Sequence, residues 1–157
     1  MNTPLAHRPN DSVQRWVCFR VAGQDYGLPI ERVQEVLREA AIEPVPGTTA
    51  LVLGVINLRG QIVTVLDLRA RLGLPLQAPV DLAARRIVVL DLHGERFGLQ
   101  VDEVADVLKL ADAAIKPAPP VGSATSEVRV AGMYSRDGRL LTLLDADTLL
   151  AGARLAV

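Results

Sequence analysis

A chain built from two copies of one unit can fold only into an architecture that two such units make together, and three matches in one order mark this chain as such a duplication. Residues 23–38 read GQDYGLPIERVQEVLR and residues 94–109 read GERFGLQVDEVADVLK. Glycines coincide at Gly23/Gly94 and Gly27/Gly98, the aromatics at Tyr26/Phe97, and Leu28, Val33, Val36 and Leu37 recur as Leu99, Val104, Val107 and Leu108. Acids recur as well, Glu31 with Asp102 and Glu35 with Asp106. Further on, GVINLRGQIVTVLDL from residue 54 matches GMYSRDGRLLTLLDA from residue 132. Between these blocks, Ile42 followed by Pro44 and Pro46 is echoed by Ile115, Pro117 and Pro119.

Each copy reads as a small antiparallel β unit. Residues 17–21 and 87–92 are strands by their apolar and β-branched content. Ala22-Gly23 and His93-Gly94 are hairpin turns in which glycine accepts a positive φ. Short strands follow at 26–28 and 97–100. The spacing of Ile30, Val33 and Leu37, and of Val101, Val104 and Leu108, then predicts an amphipathic helix in each copy. On such a helix Glu31 with Glu35, and Asp102 with Asp106, would stand one turn apart. A second hairpin comes next, 53–58 turning at Arg59-Gly60 into 62–66, and 132–136 turning at Asp137-Gly138 into 140–144. Residues 67–72 and 145–150 read as short closing helices with Asp67 and Asp145 as N-caps.

Neither copy has the long helical crossovers that a parallel sheet needs. At about 65 residues neither has core to spare, so the two halves should share an apolar interface. The expected fold is mainly β, two compact barrels on one hydrophobic interface. The first would cover about 13–73, a connector 74–84, and the second about 85–150, within one domain at 13–157, with exchange of edge strands open. Residues 1–12 are expected to be a disordered tail, and the proline-rich stretch 116–126 a surface loop.

Composition narrows the function. The chain is 157 residues long and 50% apolar but only 3% aromatic, so Val, Leu, Ile and Ala must build the core. A formal charge of −1 supplies no field to draw nucleic acid or an anionic membrane. The single Cys18 excludes an internal disulfide and a multi-cysteine metal site, and in an apolar strand it behaves as a small hydrophobe. The first residues carry no apolar signal segment, and the apolar run at 50–56 is far short of the ~20 residues of a membrane span. A reduced, cytoplasmic protein without direct membrane contact is expected.

No phosphate-binding glycine loop is present, His7 and His93 have no nucleophile beside them, and no metal-ligand spacing is backed by a third residue. Catalytic residues, cofactor and metal are all expected to be absent. The paired carboxylates fit a solvated face, and an active site around His93, Asp102 and Asp106 has no motif behind it.

Where the copies differ, the difference is not demanded by the fold. Asn57-Leu58-Arg59-Gly60 stands where the other copy has the ordinary turn Ser135-Arg136-Asp137-Gly138, and Gln34 stands opposite Ala105. Glu35 and Arg59 are therefore expected to form an exposed ion pair tied to binding.

At these residues the chain resembles the CheW-like chemotaxis coupling family. The carriers are Phe19 with Tyr26-Gly27-Leu28-Pro29-Ile30, Val33-Gln34-Glu35-Val36, Pro44-Val45-Pro46, Gly54-Val55-Ile56-Asn57-Leu58-Arg59-Gly60, Val65-Leu66-Asp67-Leu68, and Gly98-Leu99-Gln100-Val101-Asp102-Glu103-Val104. They follow the family order over about residues 13–151. Gln100 stands where the family often has an apolar residue, and residues 1–12 match nothing in the pattern.

The resemblance implies two SH3-like five-stranded β-barrels and a non-catalytic adaptor without cofactor. Its partners would be the regulatory domain of a CheA-like chemotaxis histidine kinase and the cytoplasmic tips of chemoreceptors, in arrays at the inner face of the membrane. It implies a receptor-facing set of Val33, Glu35, Val36, Gly54, Asn57 and Arg59, and a kinase-facing surface here placed at His93, Gly94, Glu95 and Arg96. A coupling protein of a non-flagellar pathway, such as pilus motility or surface sensing, would look the same. A general SH3-like peptide-binding module fits less well. It needs an aromatic-lined groove, and Trp16, Phe19, Tyr26, Phe97 and Tyr134 fall mostly at core positions.

Overall fold

The computed structural model describes residues 12–38, 40–75, 81–118 and 128–149. Most of the expected tail at 1–12, all but Ser12, and most of the expected loop at 116–126 lie outside the described residues. Ten strands run in the order β1 (Val13–Val21), β2 (Gln24–Pro29), β3 (Val33–Leu37), β4 (Val52–Leu58), β5 (Gln61–Asp67), β6 (Arg86–Leu92), β7 (Glu95–Val101), β8 (Glu103–Ala111), β9 (Val130–Arg136) and β10 (Arg139–Leu144). Two short helices, α1 (Leu68–Arg71) and α2 (Ala146–Leu149), follow β5 and β10. The Asp67 carboxylate accepts from Arg69 N and that of Asp145 from Asp147 N, so both aspartates cap as their positions promised.

The strands form two five-stranded sheets, ordered β8-β1-β2-β10-β9 and β3-β6-β7-β5-β4. Each sheet takes one hairpin from one half of the chain and three strands from the other. The duplication is visible in the register. In the first sheet Gly27 pairs with Cys18 on one side and Leu143 on the other. In the second, Gly98 pairs with Val89 and Val65 in the same arrangement. Side chains explain why glycine stands there: a Cβ on Gly27 would lie 2.9 Å from Leu143, and one on Gly98 2.8 Å from Ile87.

The helices expected over 30–37 and 101–108 are not formed. Only Ile30–Arg32 turns, as one short 3-10 segment, and both stretches continue as the edge strands β3 and β8. The V-x-x-V-L spacing fits a helix stripe, but β-branched valines favour a pleated, half-buried surface, and the edges of β6 and β1 stood open to receive them. The burial along β3 alternates strictly, with Val33, Glu35 and Leu37 half-buried and Gln34 and Val36 exposed. The carboxylate pairs therefore share no helix face. Asp102 instead accepts a hydrogen bond from Ala22 N at 2.8 Å, pinning the first hairpin turn.

Three apolar clusters hold the fold. One lies within the second sheet and joins Ile56, Leu58, Val63, Val65, Ile87 and Val89, with Leu37 packed against it. Another lies within the first and joins Trp16, Cys18, Leu110, Leu141 and Leu143, with Tyr134 against it. Leu37 and Ile56 come from opposite edge strands of one sheet, and Leu110 and Tyr134 from opposite edges of the other, so each sheet rolls around its own cluster. The largest cluster lies between the sheets and takes residues from both, including Phe19, Leu28, Leu66, Leu90, Leu99, Leu144 and Leu149. The mainly-β architecture of two five-stranded units on a shared apolar layer is thus as expected. Arg71, the one buried charged side chain among the described residues, stitches the halves further. Its guanidinium donates to the carbonyls of Leu149 and Thr148 at 2.8 Å each, closing the end of α2.

All four hairpin turns are of the type that needs a positive φ at both central residues. Ala22, Arg59, His93 and Asp137 have φ of 51°, 51°, 54° and 50°, each followed by a glycine at 77°, 85°, 88° and 79°.

Candidate protein-docking site

The sequence singled out one place where the copies differ, the turn between β4 and β5. Its shape comes from three local causes. Gly60 takes the second positive-φ position. The Asn57 side chain accepts from Gly60 N at 2.9 Å and holds the turn closed. Arg59 occupies the first positive-φ position, a conformation that a side chain with a Cβ rarely adopts, which throws its guanidinium clear of the sheet.

That guanidinium reaches Glu35 on β3. Nη1 and Nη2 donate to the two carboxylate oxygens at 2.7 and 2.8 Å, a bidentate fork. β3 and β4 are the two edges of their sheet, so the ion pair ties the edges together. The expected pair is present, and it is asymmetric: the Glu35 side chain is 22% exposed and Arg59 69%. The Arg59 hydrogen bond holds the Glu35 carboxyl below its ordinary range, with smaller help from the charges of Arg59 and Arg96. Val36, next to Glu35 along β3, and Ile62 on β5 are exposed to solvent.

The other residues of the receptor-facing set are placed differently. Val33 is half-buried and packs against the cluster between the sheets. Gly54 is buried within β4, where φ is +150°. A Cβ there would lie 2.2 Å from the Glu43 carbonyl oxygen, because Glu43 and Val55 exchange two backbone hydrogen bonds of 2.8 and 2.9 Å. Its contribution is the close approach of two backbones. Val36, Glu35, Asn57 and Arg59 therefore make the accessible surface.

The turn at 93–96 belongs to the second sheet, at the same end as Arg59, since β5 and β7 run parallel as neighbours. Gly94 N donates to the Asp91 carboxylate at 3.1 Å. His93 Nε2 lies 3.6 Å from Asp147 Oδ1 on α2. Arg96 donates from Nη1 to the Gln61 side chain, one residue beyond the Arg59 turn. Glu95 opens β7 beside it, exposed at the mouth of the turn. The two surfaces read separately from the sequence are thus adjacent, joined through Arg96 and Gln61.

Sequence comparison of the copies missed a second ion pair. Arg136 at the end of β9 grips Asp106 on β8 with both nitrogens, one bond being 3.0 Å. This hydrogen bond holds Asp106 below the usual carboxylate range. Asp106 matches Glu35 in the repeat, but Arg136 matches Leu58, one position before Arg59. Alignment by position set Asp137 opposite Arg59 and hid the equivalence; the arginine one residue upstream was the available signal. The ion pair across the edges is therefore common to both units. What is peculiar to the first unit is an arginine in the turn itself, carried outward by its positive φ. Beside Asp106 and Arg136 a further network joins Arg20, Asp25, Glu103 and Arg139, with Asp25 bonded by Arg20 at 2.9 Å and Arg139 at 2.7 Å.

Among the described residues no group of three or more His, Cys, Asp and Glu is placed to hold a metal ion, and no helix is long and apolar enough to cross a membrane.

Comparison with known proteins gives one answer at each level. The family model described as CheW-like domain matches residues 15–154. The chain is similar to the chemotaxis protein CheW of Rhizobium meliloti, with 33% identity over 85% of this chain and 84% of that protein. It is similar also to the chemotaxis protein CheW of Bacillus subtilis, 31% identical over 87% and 86% of the two chains. The protein FrzA of Myxococcus xanthus is 31% identical over 90% and 88%. Among solved structures, the scaffolding protein TtCheW of Thermoanaerobacter tengcongensis superposes with a TM-score of 0.79 at 31% identity, covering 89% of this chain and 94% of that one.

Proposed function

The chain belongs to the CheW-like family, and on that premise we propose that it is a scaffold of chemotaxis signalling that links chemoreceptor cytoplasmic tips to the regulatory domain of a CheA-like histidine kinase. It works by holding surfaces in place, not by turnover. The observation that carries the reading is the bidentate Arg59–Glu35 pair at the rim of the sheet, with Val36 and Ile62 exposed on the strands that carry it. An exposed charge pair with exposed apolar side chains on the same strands suits a helical partner that brings an apolar stripe and a few polar groups. In this reading Val36, Glu35, Asn57 and Arg59 meet the receptor. Gly54 and Val33 keep the two edges of the sheet where that contact requires them. The kinase domain takes the neighbouring turn at His93, Gly94, Glu95 and Arg96. The protein acts in the cytoplasm, in arrays at the inner face of the membrane.

A second reading is coupling in a non-flagellar chemosensory pathway, in which the same surfaces serve another receptor and kinase.

The test is a pull-down of the full chain with a receptor cytoplasmic fragment and the regulatory domain of the kinase encoded beside it, comparing wild type with Arg59→Glu. Folded Arg59→Glu protein that keeps the kinase and loses the receptor supports the assignment. Wild-type chain that retains neither partner, from flagellar or non-flagellar systems alike, overturns it.

A further inference from the structure

At the end of the second sheet opposite Arg59, where β3 stops and β6 begins, lies an open groove of about 640 Å³. Its floor is aliphatic, formed by Ala40, Ala41, Ile42 and Ile87, with the exposed Leu82 on one wall and Gln100 at the back. Three arginines line it, Arg38, Arg85 and Arg86, and among the described residues no acidic one does. Arg86 donates from Nη1 to the carbonyls of Ala83 and Arg85 at 2.8 and 2.9 Å, which fixes its direction without neutralising it. Among the described residues no carboxylate pairs with any of the three. Asp81, four residues before Arg85, accepts from Ala83 N at 3.0 Å.

The repeat keeps two of the three cations, Arg38 matching Lys109 and Arg86 matching Arg15, and replaces the third, Arg85, by Gln14. Three of the groove's positions, Arg85, Ile87 and Gln100, have matches in Gln14, Trp16 and Pro29, which line a groove of the first sheet. There the basic Arg32 and Arg129 are balanced by Glu31 and Asp145, and Gln14 bonds Glu31 at 2.8 Å. Clustered like charges oppose folding, and elsewhere on this chain arginines sit against carboxylates, as in Arg59–Glu35, Arg136–Asp106 and Arg139–Asp25.

We propose that this groove seats an acidic segment of a partner protein, its carboxylates on Arg38 and Arg85 and an aliphatic side chain on the Ile42–Ile87 floor. The planar guanidinium fork matches a carboxylate, and the apolar floor has no use for a bare inorganic anion. The groove lies a full strand length from the Arg59 turn, so the proposal is independent of the receptor and kinase assignments and survives their failure.

The test is a heteronuclear NMR titration of the full chain with the end-blocked peptide Glu-Leu-Glu-Leu-Glu and its Gln-Leu-Gln-Leu-Gln analogue, at low salt. The expected result is saturable shifts at the amides of Ala41, Ile87 and Gln100, leaving those around Glu35 and Arg59 in place. The glutamine peptide should bind at least tenfold more weakly, and so should the acidic peptide to Arg38→Gln/Arg85→Gln. Leu82→Glu, which sets a carboxylate at the groove mouth, should weaken binding by itself and guards against a fold defect in the double variant. Raising the salt to several hundred millimolar should weaken all of it through screening. Equal binding of the two peptides, or shifts mapping to another face, overturns the proposal. So does inorganic phosphate, or a vesicle of phosphatidylglycerol and phosphatidylcholine, giving the same shifts at comparable concentration, since the groove would then be a general anion or membrane contact.

Discussion

Alanine at Gly54 and alanine at Gly132 are the same change at matching points of the two units, and the structure expects different outcomes. At Gly54 a Cβ meets the Glu43 carbonyl oxygen at 2.2 Å and its carbon at 2.7 Å, on a backbone whose φ is +150°. Backbone cannot rotate away, so relief means separating residue 43 from residue 55 and breaking their two hydrogen bonds. Those bonds contribute about 0.5–1.5 kcal/mol each, and holding alanine at a glycine-only φ costs roughly 1–3 kcal/mol. Gly54→Ala should therefore lose about 2–6 kcal/mol, a large part of the ~5–15 kcal/mol that a domain possesses. At Gly132 the obstacle is the Ile115 Cγ2 at 2.2 Å, a side-chain methyl, with the Lys116 carbonyl oxygen at 3.1 Å. Overpacking of that kind costs about 1–3 kcal/mol.

A double-mutant cycle separates the two mechanisms. Trimming Ile115 to alanine removes the obstructing methyl, so Gly132→Ala with Ile115→Ala should show a favourable coupling of about 1 kcal/mol or more. Trimming Ile42 clears only its Cγ2, 2.9 Å away, and leaves the Glu43 carbonyl in place, so Gly54→Ala with Ile42→Ala should show a coupling below about 0.5 kcal/mol. The assay is urea unfolding, read as midpoint and slope, with far-UV circular dichroism to monitor the native state. Gly54→Ala within about 0.5 kcal/mol of wild type, or a rescue at Gly54 as large as that at Gly132, would refute the reasoning.

Three further outcomes are expected. Cys18 is buried and its thiol is pushed up to about 11, chiefly by burial, so Ellman's reagent at pH 8 should leave the native chain unlabelled and titrate one thiol in urea; rapid native labelling contradicts the packing. Hydrogen bonds from Arg139 and Arg136 hold Asp25 and Asp106 below the ordinary carboxylate range, so the unfolded chain takes up those protons first as pH falls. Their stabilisation is therefore complete above about pH 4 and is lost below it. The urea midpoint should hold from pH 6 to 5 and drop toward pH 2, less steeply in Arg139→Gln, and a flat profile to pH 2 refutes this. Finally, fragments ending at residue 75 and beginning at residue 81 should each lack a cooperative melt and fold on mixing one to one, because every sheet needs both; a well-dispersed spectrum from either fragment alone refutes it.

Much of this was legible because it depends on short-range chemistry. The turns announced themselves by glycine, the two N-caps by Asp67 and Asp145, and the inner strands by Val, Ile and Leu. The Glu35–Arg59 pair was legible too, because one arginine stood where the sister unit has a turn aspartate. Two things were hidden. At 33–37 and 103–111 a helical stripe and a strand alternation share the same valines, and only the open edges of β6 and β1 decide between them. The Arg136–Asp106 pair was hidden because a pairing in space can be kept while its residue slips by one position. Neither the nearness of Arg96 to Glu35 nor the arginine-lined groove at Arg38 follows from order along the chain, since each depends on which strands neighbour which.

The exchange of hairpins between the halves is what makes such a chain suited to holding partners. If each copy folded on itself, the two sheets would meet only through side chains and could shift against each other. Here β3 is paired by β6 and β5 by β7, so Glu35 and Arg59, both from the first copy, are held by strands of the second. The first copy's β1 and β2 are held in turn by β8 and β10. Backbone ladders thus cross the boundary between the copies in both directions, and the apolar layer from Phe19 to Leu149 lies under both sheets. Moving the Arg59 turn relative to the 93–96 turn would break main-chain hydrogen bonds as well as side-chain packing, which is far costlier than sliding two apolar faces. A scaffold works through fixed geometry between surfaces, and the crossed strands fix that geometry in the backbone.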